Sequence, residues 1–267
     1  MVKVGSSSIT DEHGDIATGA FDKLCAEVAG LSSRGYRVVV VTSGAVAAGL
    51  PPLGLSGSRP NDVATLQAIS AVGQSRLMRH YDDSLGRHGV IGGQVLLVPN
   101  DFFDRRRYLQ ARTTLHRLFS FGVVPVINEN DAVADDEIRF SDNDRLAALV
   151  ANLLAADVLV MLTDAPGVLS ADPRFDQNAS LIDEIVHVDQ VLEGVTPGPG
   201  TYRGRGGMAS KLQAAKMASW SGVRVVIAAA DRPAVLQGAV DGAPGVGTVV
   251  RPHERRLSAR KLWIAFA

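Results

Sequence analysis

The sequence predicts an α/β fold, a three-layer αβα sandwich around a mostly parallel sheet. Three observations carry this. Short β-branched runs are apolar throughout rather than alternating, which suits strands covered on both faces. Longer amphipathic segments separate them, as crossover connections between parallel strands require. Polar and glycine-rich residues follow the strand runs, where an open α/β sheet binds its ligands.

Taken in order, Met1-Val2-Lys3-Val4-Gly5 enters a first strand directly, so no signal peptide is expected. A helix is predicted over Phe21–Leu31 and a strand over Val38–Thr42 (Val-Val-Val-Val-Thr). Helix-like stretches follow at Ala64–Leu85, Tyr108–Phe121, Arg145–Ala155 and Ala209–Ser221. Between them, Gln94–Val98, Val123–Ile127, Val158–Leu162 and Val223–Ala228 read, like Val38–Thr42, as fully buried strands. Ala132–Ile138 looks like a hairpin or flap, and Gly194–Gly207 is the longest apparent loop. No stretch resembles a linker between independent domains, so the chain is read as one domain with two lobes.

Composition narrows the function classes. The chain has 267 residues, 46% hydrophobic and 21% charged, enough for a substantial core and far from disordered composition. The formal charge of −1 supplies no global basic field for nucleic acid and no reason to expect a membrane surface as partner. No apolar run approaches the ~20 residues that span a bilayer. The one cysteine, Cys25, has no internal disulfide partner, which suits a reducing, cytoplasmic compartment. It falls within a predicted helix and is read as a packed, inert thiol rather than a nucleophile.

Four strand ends carry chemistry. They are Lys3-Val4-Gly5-Ser6-Ser7-Ser8, Thr42-Ser43-Gly44-Ala45, Asn128-Glu129-Asn130-Asp131 and Thr163-Asp164-Ala165-Pro166-Gly167. Gly5 and Gly44 suit either a close backbone approach to an anion or simply a tight turn. A lysine at the end of an apolar strand is costly to bury without an anion, so Lys3 is read as functional rather than snorkelling. In Asp142-Asn143-Asp144 either acid can cap the helix that follows, but one cap leaves the second acid unexplained. Gly204-Arg205-Gly206-Gly207-Met208-Ala209-Ser210-Lys211 resembles a phosphate cradle opening a helix, without the spacing of a P-loop. Its lysine opposes the helix dipole, which something anionic would repair.

Together these segments resemble the amino acid kinase family. The matching pieces are Val2–Ser7, Val41–Gly49, Ala71-Val72-Gly73-Gln74-Ser75, Val126–Val133, Asp142–Leu146, Thr163-Asp164 and Gly206–Leu212, in the family's order and across essentially the whole chain. Asn-Glu-Asn-Asp with the later Asp-Asn-Asp is characteristic of the members that phosphorylate glutamate. The resemblance implies an amino acid kinase domain over 1–267, with a substrate lobe near 1–150 and a nucleotide lobe near 151–267. It implies ATP-dependent phosphorylation of the γ-carboxylate of L-glutamate, the first step of proline biosynthesis, with Mg²⁺ bound to the nucleotide and no separate protein metal site.

By the same resemblance, Lys3 and Lys211 neutralise charge on the transferring phosphoryl group and Asp144 positions both. Ser43, Asn128, Asp131 and Asn143 bind glutamate. Lys3, Gly5, Thr163, Asp164 and the segment Arg205, Gly206, Gly207, Met208, Ala209, Ser210 and Lys211 bind ATP. Proline as feedback inhibitor, a homo-oligomer and functional coupling to a glutamyl phosphate reductase are further implications. The chemistry is consistent, because phosphoryl transfer needs alignment and positive charge, and an ionised carboxylate needs no general base. Asp131 suits the substrate ammonium and the asparagine amides suit its α-carboxylate.

Three departures stand out. Met1 lies only two residues before Lys3, where relatives carry more. Arg205 replaces a usual Thr, adding a phosphate contact or crowding it, and Ser141 replaces a usual Gly. Many relatives continue past the equivalent of Ala267 into a small RNA-binding-type (PUA) domain, which this chain is expected to lack. Without it nothing supports nucleic-acid binding, and Arg105-Arg106-Arg107 is read as a solvated helix face. Among alternatives, an acetylglutamate acceptor lacks the ammonium that Asp131 would pair with. An idle amino-acid sensor would need none of Lys3, Asp144 and Lys211. A dinucleotide-binding dehydrogenase would need a Gly-x-Gly-x-x-Gly after the first strand, which is missing.

Overall fold

Apolar runs form the strands and amphipathic segments between them form the helices, in the order read from the sequence. The computed structural model describes residues 1–11, 15–56, 59–133, 143–174, 176–194 and 207–254. The chain divides into two compact units, Val2–Asn143 and Asp144–Ala267, with Met1 counted in the second.

In the first unit, β1 (Val2–Val4), β2 (Val40–Val41), β3 (Gly92–Leu97) and β4 (Val124–Glu129) are ordered β3-β4-β2-β1 and all pair in parallel. The crossovers are α1 (Thr18–Ser33), then α2 (Ala45–Gly49) with α3 (Val63–Gly86), then α4 (Arg105–Ser120). The core joins Phe21, Leu24 and Val28 of α1 to Leu77, Tyr81 and Leu85 of α3.

Three expectations need correction here. The β2 ladder is only two residues long, although Val38 and Val39 are also buried. Bonds from Val2 N to Val39 O and from Thr42 N to Ile127 O, each 2.8 Å, extend the backbone pairing past it. β3 is not fully buried, because it lies at the end of its unit's strand order and only Leu97 is fully covered. Helix α4 begins earlier than its apolar pattern, because the Asp104 carboxylate caps it by accepting from Arg107 N at 2.8 Å. The three arginines therefore open the helix, all of them exposed.

In the second unit, α5 (Asn143–Leu154) leads into β5 (Val158–Thr163). Then come β6 (Glu184–Ile185), α6 (Val188–Gly194), α7 (Met208–Trp220), β7 (Arg224–Ala229), α8 (Val235–Asp241) and β8 (Thr248–Val250). Strand order is β5-β7-β8-β6, with β5/β7 and β6/β8 parallel and β7/β8 antiparallel. The sheet is mostly parallel with helices on both sides, the expected class. α7 carries small residues on several faces, and Leu212, Ala214, Ala215, Met217 and Ala218 are all buried.

Cys25 is a free, buried thiol, and burial pushes it up to about 11. It is therefore a weak nucleophile at neutral pH, as read from the sequence. No helix among the described residues is long and apolar enough to cross a membrane. Most of the expected flap at Ala132–Ile138 and of the loop at Gly194–Gly207 lies outside the described residues, as do Ser141, Asp142, Arg205, Gly206 and the run Lys261–Ala267.

Candidate active site

In the first unit the parallel strands end together, and their ends bring the polar residues into one place. Lys3 sits within β1 and is buried, 5% exposed. Its Nζ is 3.8 Å from where a Gly5 Cβ would stand, beside the chain that leaves the strand. Gly5 itself is ordinary extended backbone (φ −82°), whereas Gly44 is left-handed (φ +103°) and the turn there needs glycine.

β4 ends in Asn128 and Glu129, both buried, and Asp131 follows. Asn143, the first residue of α5, donates through Nδ2 to Ser43 Oγ at 3.0 Å and to Asn128 Oδ1 at 3.1 Å. Asn128 Oδ1 also accepts from Glu129 N at 2.9 Å. Asn128 Nδ2 donates to Gln74 Oε1 at 2.8 Å. Three of the four residues read as glutamate-binding thus form one hydrogen-bonded network. Asp131 is the fourth, and its Oδ1 is buried with no hydrogen-bond partner among the described residues. Burial pushes its carboxyl up to about 6, against the opposing pull of the Arg59 guanidinium.

In the second unit, Asp144 lies in the first turn of α5 and is 3% exposed. Its Oδ2 accepts from Lys211 Nζ at 3.2 Å and from Ser210 Oγ at 3.1 Å. Its work is therefore to hold α7 side chains, beyond any capping of its own helix. Lys211, 7% exposed, lies in the first turn of α7, and Asp144 is the anion that repairs its conflict with the helix dipole. Ser210 Oγ also lies 3.0 Å from Gly207 O, so its single hydrogen is shared between that carbonyl and Asp144. Met208 and Ala209 occupy that turn and are half-buried.

At the end of β5, Thr163 is buried and its Oγ1 donates to Asp164 Oδ1 at 3.0 Å, while Asp164 is exposed. Thr163 O accepts from Ala230 N at 2.8 Å, prolonging the pairing with β7. Among the described residues Thr163 and Asp164 form their own pair at this strand end, and no bond joins Met208 or Ala209 to another candidate.

The model of the Amino acid kinase family matches residues 1–229. The chain belongs to the amino acid kinase family. Relatives named glutamate 5-kinase are similar over nearly its full length. The one from Methylibium petroleiphilum is 48% identical over 265 residues, 99% of this chain and 71% of its own. The one from Halorhodospira halophila is 46% identical, covering 99% of this chain and 70% of its own. Among solved structures, a T. acidophilum isopentenyl phosphate kinase product complex overlays with a TM-score of 0.61 at 21% identity, covering 94% of this chain and 98% of its own. UMP kinase from Ureaplasma parvum gives a TM-score of 0.62 at 12% identity, covering 94% of this chain and 97% of its own. These two show the amino acid kinase fold.

For this amino acid kinase, sequence reasoning assigned no role to Gln74, though Ala71–Ser75 was among the matching segments. A signal was present. Leu66, Ser70, Leu77 and Tyr81 share the buried face of α3, and a glutamine at helical spacing from them is a polar group that needs a partner. Thr42, within one of the four strand ends singled out, was likewise given no role of its own. Its Oγ1 accepts from Tyr81 Oη at 2.8 Å in a buried contact that ties the end of β2 to α3.

Proposed function

We propose that this amino acid kinase transfers the terminal phosphoryl group of ATP to the γ-carboxylate of L-glutamate. A carboxylate oxygen forms a bond to the γ-phosphorus, the bond to the bridging oxygen breaks, and ADP leaves with that electron pair. The product, γ-glutamyl phosphate, begins proline biosynthesis. No proton moves, so the residues have only to bind, align and neutralise charge.

One observation carries the choice of acceptor: a buried amide and hydroxyl network, Asn128, Asn143 and Ser43, stands in the same unit as a buried Asp131 whose Oδ1 has no hydrogen-bond partner among the described residues. Amide and hydroxyl donors suit the α-carboxylate, and Asp131 suits the α-ammonium. The names of relatives at 48% and 46% identity support glutamate itself.

Lys211, held by Asp144, neutralises the transferring phosphoryl group together with Lys3. Gly5, Thr163, Asp164 and the segment from Arg205 and Gly206 through Gly207, Met208, Ala209, Ser210 and Lys211 take the nucleotide, Mg²⁺ arriving as part of that substrate. Residues near 1–150 form the substrate lobe and those near 151–267 the nucleotide lobe of a single domain. Proline restrains the reaction, the enzyme is a cytoplasmic homo-oligomer, and a glutamyl phosphate reductase consumes its labile acyl phosphate.

The test is ADP release with ATP·Mg²⁺ against glutamate, acetylglutamate, aspartate, UMP and no acceptor, with hydroxylamine trapping any acyl phosphate. Glutamate-dependent hydroxamate with acetylglutamate silent is the expected result. Turnover of another acceptor in preference to glutamate, or of none, overturns the proposal.

A further inference from the structure

Gln74 projects from α3 into the network just described, and the polarity of that network can be worked out from one fixed donor. The backbone N–H of Glu129 donates to Asn128 Oδ1 at 2.9 Å. That contact dictates which end of the Asn128 amide is oxygen. The Asn128 amino group must then face Gln74, so Gln74 presents Oε1 to it at 2.8 Å. The remaining end of Gln74 is therefore its amino group. Nε2 is buried and has no hydrogen-bond partner among the described residues.

The same reasoning runs through Asn143. Its Nδ2 donates to Ser43 Oγ, so the Ser43 hydroxyl hydrogen is turned to a different acceptor. Gln74 Nε2 and the Ser43 hydroxyl are thus two donors of one network in which Gln74 Oε1, Asn128 Oδ1 and Ser43 Oγ already accept, and among the described residues no hydrogen bond joins Gln74 Nε2 to the Asn143 amide oxygen. Asp131 Oδ1 is a buried acceptor without a partner among the described residues, so it does not satisfy Gln74 either. A buried amide donor left unpaired is costly, and its natural complement is a carboxylate oxygen.

We infer that Gln74 is a binding residue for the amino-acid substrate. Its Oε1 holds the Asn128 amide in orientation, and its Nε2 donates to a carboxylate oxygen of the substrate. This rests on the function proposed above and extends it to a residue outside the segments read as the site.

Two near-isosteric variants test it. Gln74→Met removes both the acceptor and the donor, whereas Gln74→Glu keeps an acceptor for Asn128 and replaces the donor with a negative charge. Steady-state hydroxamate formation gives KM for glutamate and for ATP, and thermal unfolding monitors the fold. Both variants are expected to raise KM for glutamate by roughly tenfold or more, with KM for ATP changed less than about twofold, since one charge-assisted hydrogen bond is at stake. Gln74→Glu is expected to be the worse, because its anion faces a substrate carboxylate.

A glutamate KM in Gln74→Glu within about twofold of wild type overturns the donor role, since that substitution removes one charge-assisted bond. A parallel rise in both KM values with a lowered melting temperature overturns substrate binding in favour of a packing role. If Gln74→Met does not fold, Gln74→Glu decides alone. Failure of the underlying function is separately visible, because the wild-type protein would then form no hydroxamate from glutamate, and the role of Gln74 would fall with it.

Discussion

Asp144 accepts a hydrogen bond from the Lys211 ammonium at 3.2 Å, with both side chains almost wholly withdrawn from water. Each lies in the first turn of a helix, where the dipole welcomes the aspartate and opposes the lysine. The pair therefore keeps a cation at a helix start, where a chain satisfying stability alone would not put one. A buried ion pair is weak support for stability, so its retention points to use in chemistry.

Replacing Lys211 tests that use. Lys211→Ala is expected to lower kcat by ~10²–10³, the range for removing one preorganised charge donor at a transition state. KM for glutamate should move far less, since Lys211 belongs to the unit that does not contain the Ser43–Asn128–Asn143 network. Near-wild-type kcat in this variant would contradict the role given to Lys211.

Asp144 should be felt in stability as well as in rate. Asp144→Ala leaves the Lys211 ammonium buried without its anion, a change that typically costs about 3–5 kcal/mol. The expected signature is a lowered melting temperature together with a loss of kcat. Asp144→Asn, which keeps an acceptor for Ser210 Oγ, should unfold less readily than Asp144→Ala and still be slow. Equal stability of Asp144→Ala and wild type would rule out the pair as a structural tie.

Asp131 is expected to make glutamate use depend on pH. Burial raises its carboxyl from an ordinary 3.8 to about 6. The folded state thus holds more protons than the unfolded state between those values, and this group's contribution to stability falls as pH rises through that window. Above about 6 the carboxylate is ionised in its buried position, and a substrate ammonium relieves that cost. Accordingly kcat/KM for glutamate should rise between pH 5 and 7 with a midpoint near 6, because kcat/KM reports the free enzyme. In Asp131→Asn the limb should vanish and KM for glutamate should be high throughout. A limb that persists in Asp131→Asn assigns the titration to another group.

Much of this was legible in the sequence, for physical reasons. Strands such as Val158–Thr163 announce themselves because both faces are buried and Val158–Leu162 is apolar throughout. Ser43, Asn128 and Asp144 were legible because they stand where parallel strands end or a helix begins. β6 and β8 are only two and three residues long, too short for a pattern to be seen. α2 is five residues of small side chains following a turn, and nothing in Ala45–Gly49 distinguishes it from loop. Gln74 escaped because its partner Asn128 is 54 positions away, and helical spacing shows which face a residue occupies without showing what lies opposite.

The contact that places Ser43 is itself a test of how the site is built. A Cβ on Gly73 would lie 1.7 Å from Ala45 O and 2.5 Å from Gly49 N, and one on Gly49 would lie 2.1 Å from Ile69 O. All of these neighbours are backbone, so α2 and α3 touch main chain to main chain and no rotamer change can make room. Gly73→Ala must push α2 off α3, and α2 starts two residues after Ser43. The expected cost is at least the ~1–3 kcal/mol of an overpacked core, with KM for glutamate raised more than KM for ATP. Gly30→Ala is the control, because it lies in α1 with nothing within 4 Å of the added methyl. It should be neutral or stabilising by about 0.4–1 kcal/mol through the unfolded chain. Urea unfolding of both variants decides the matter: a Gly73→Ala midpoint equal to that of Gly30→Ala would mean that α2 is free to move away from α3, and that the position of Ser43 does not depend on this contact.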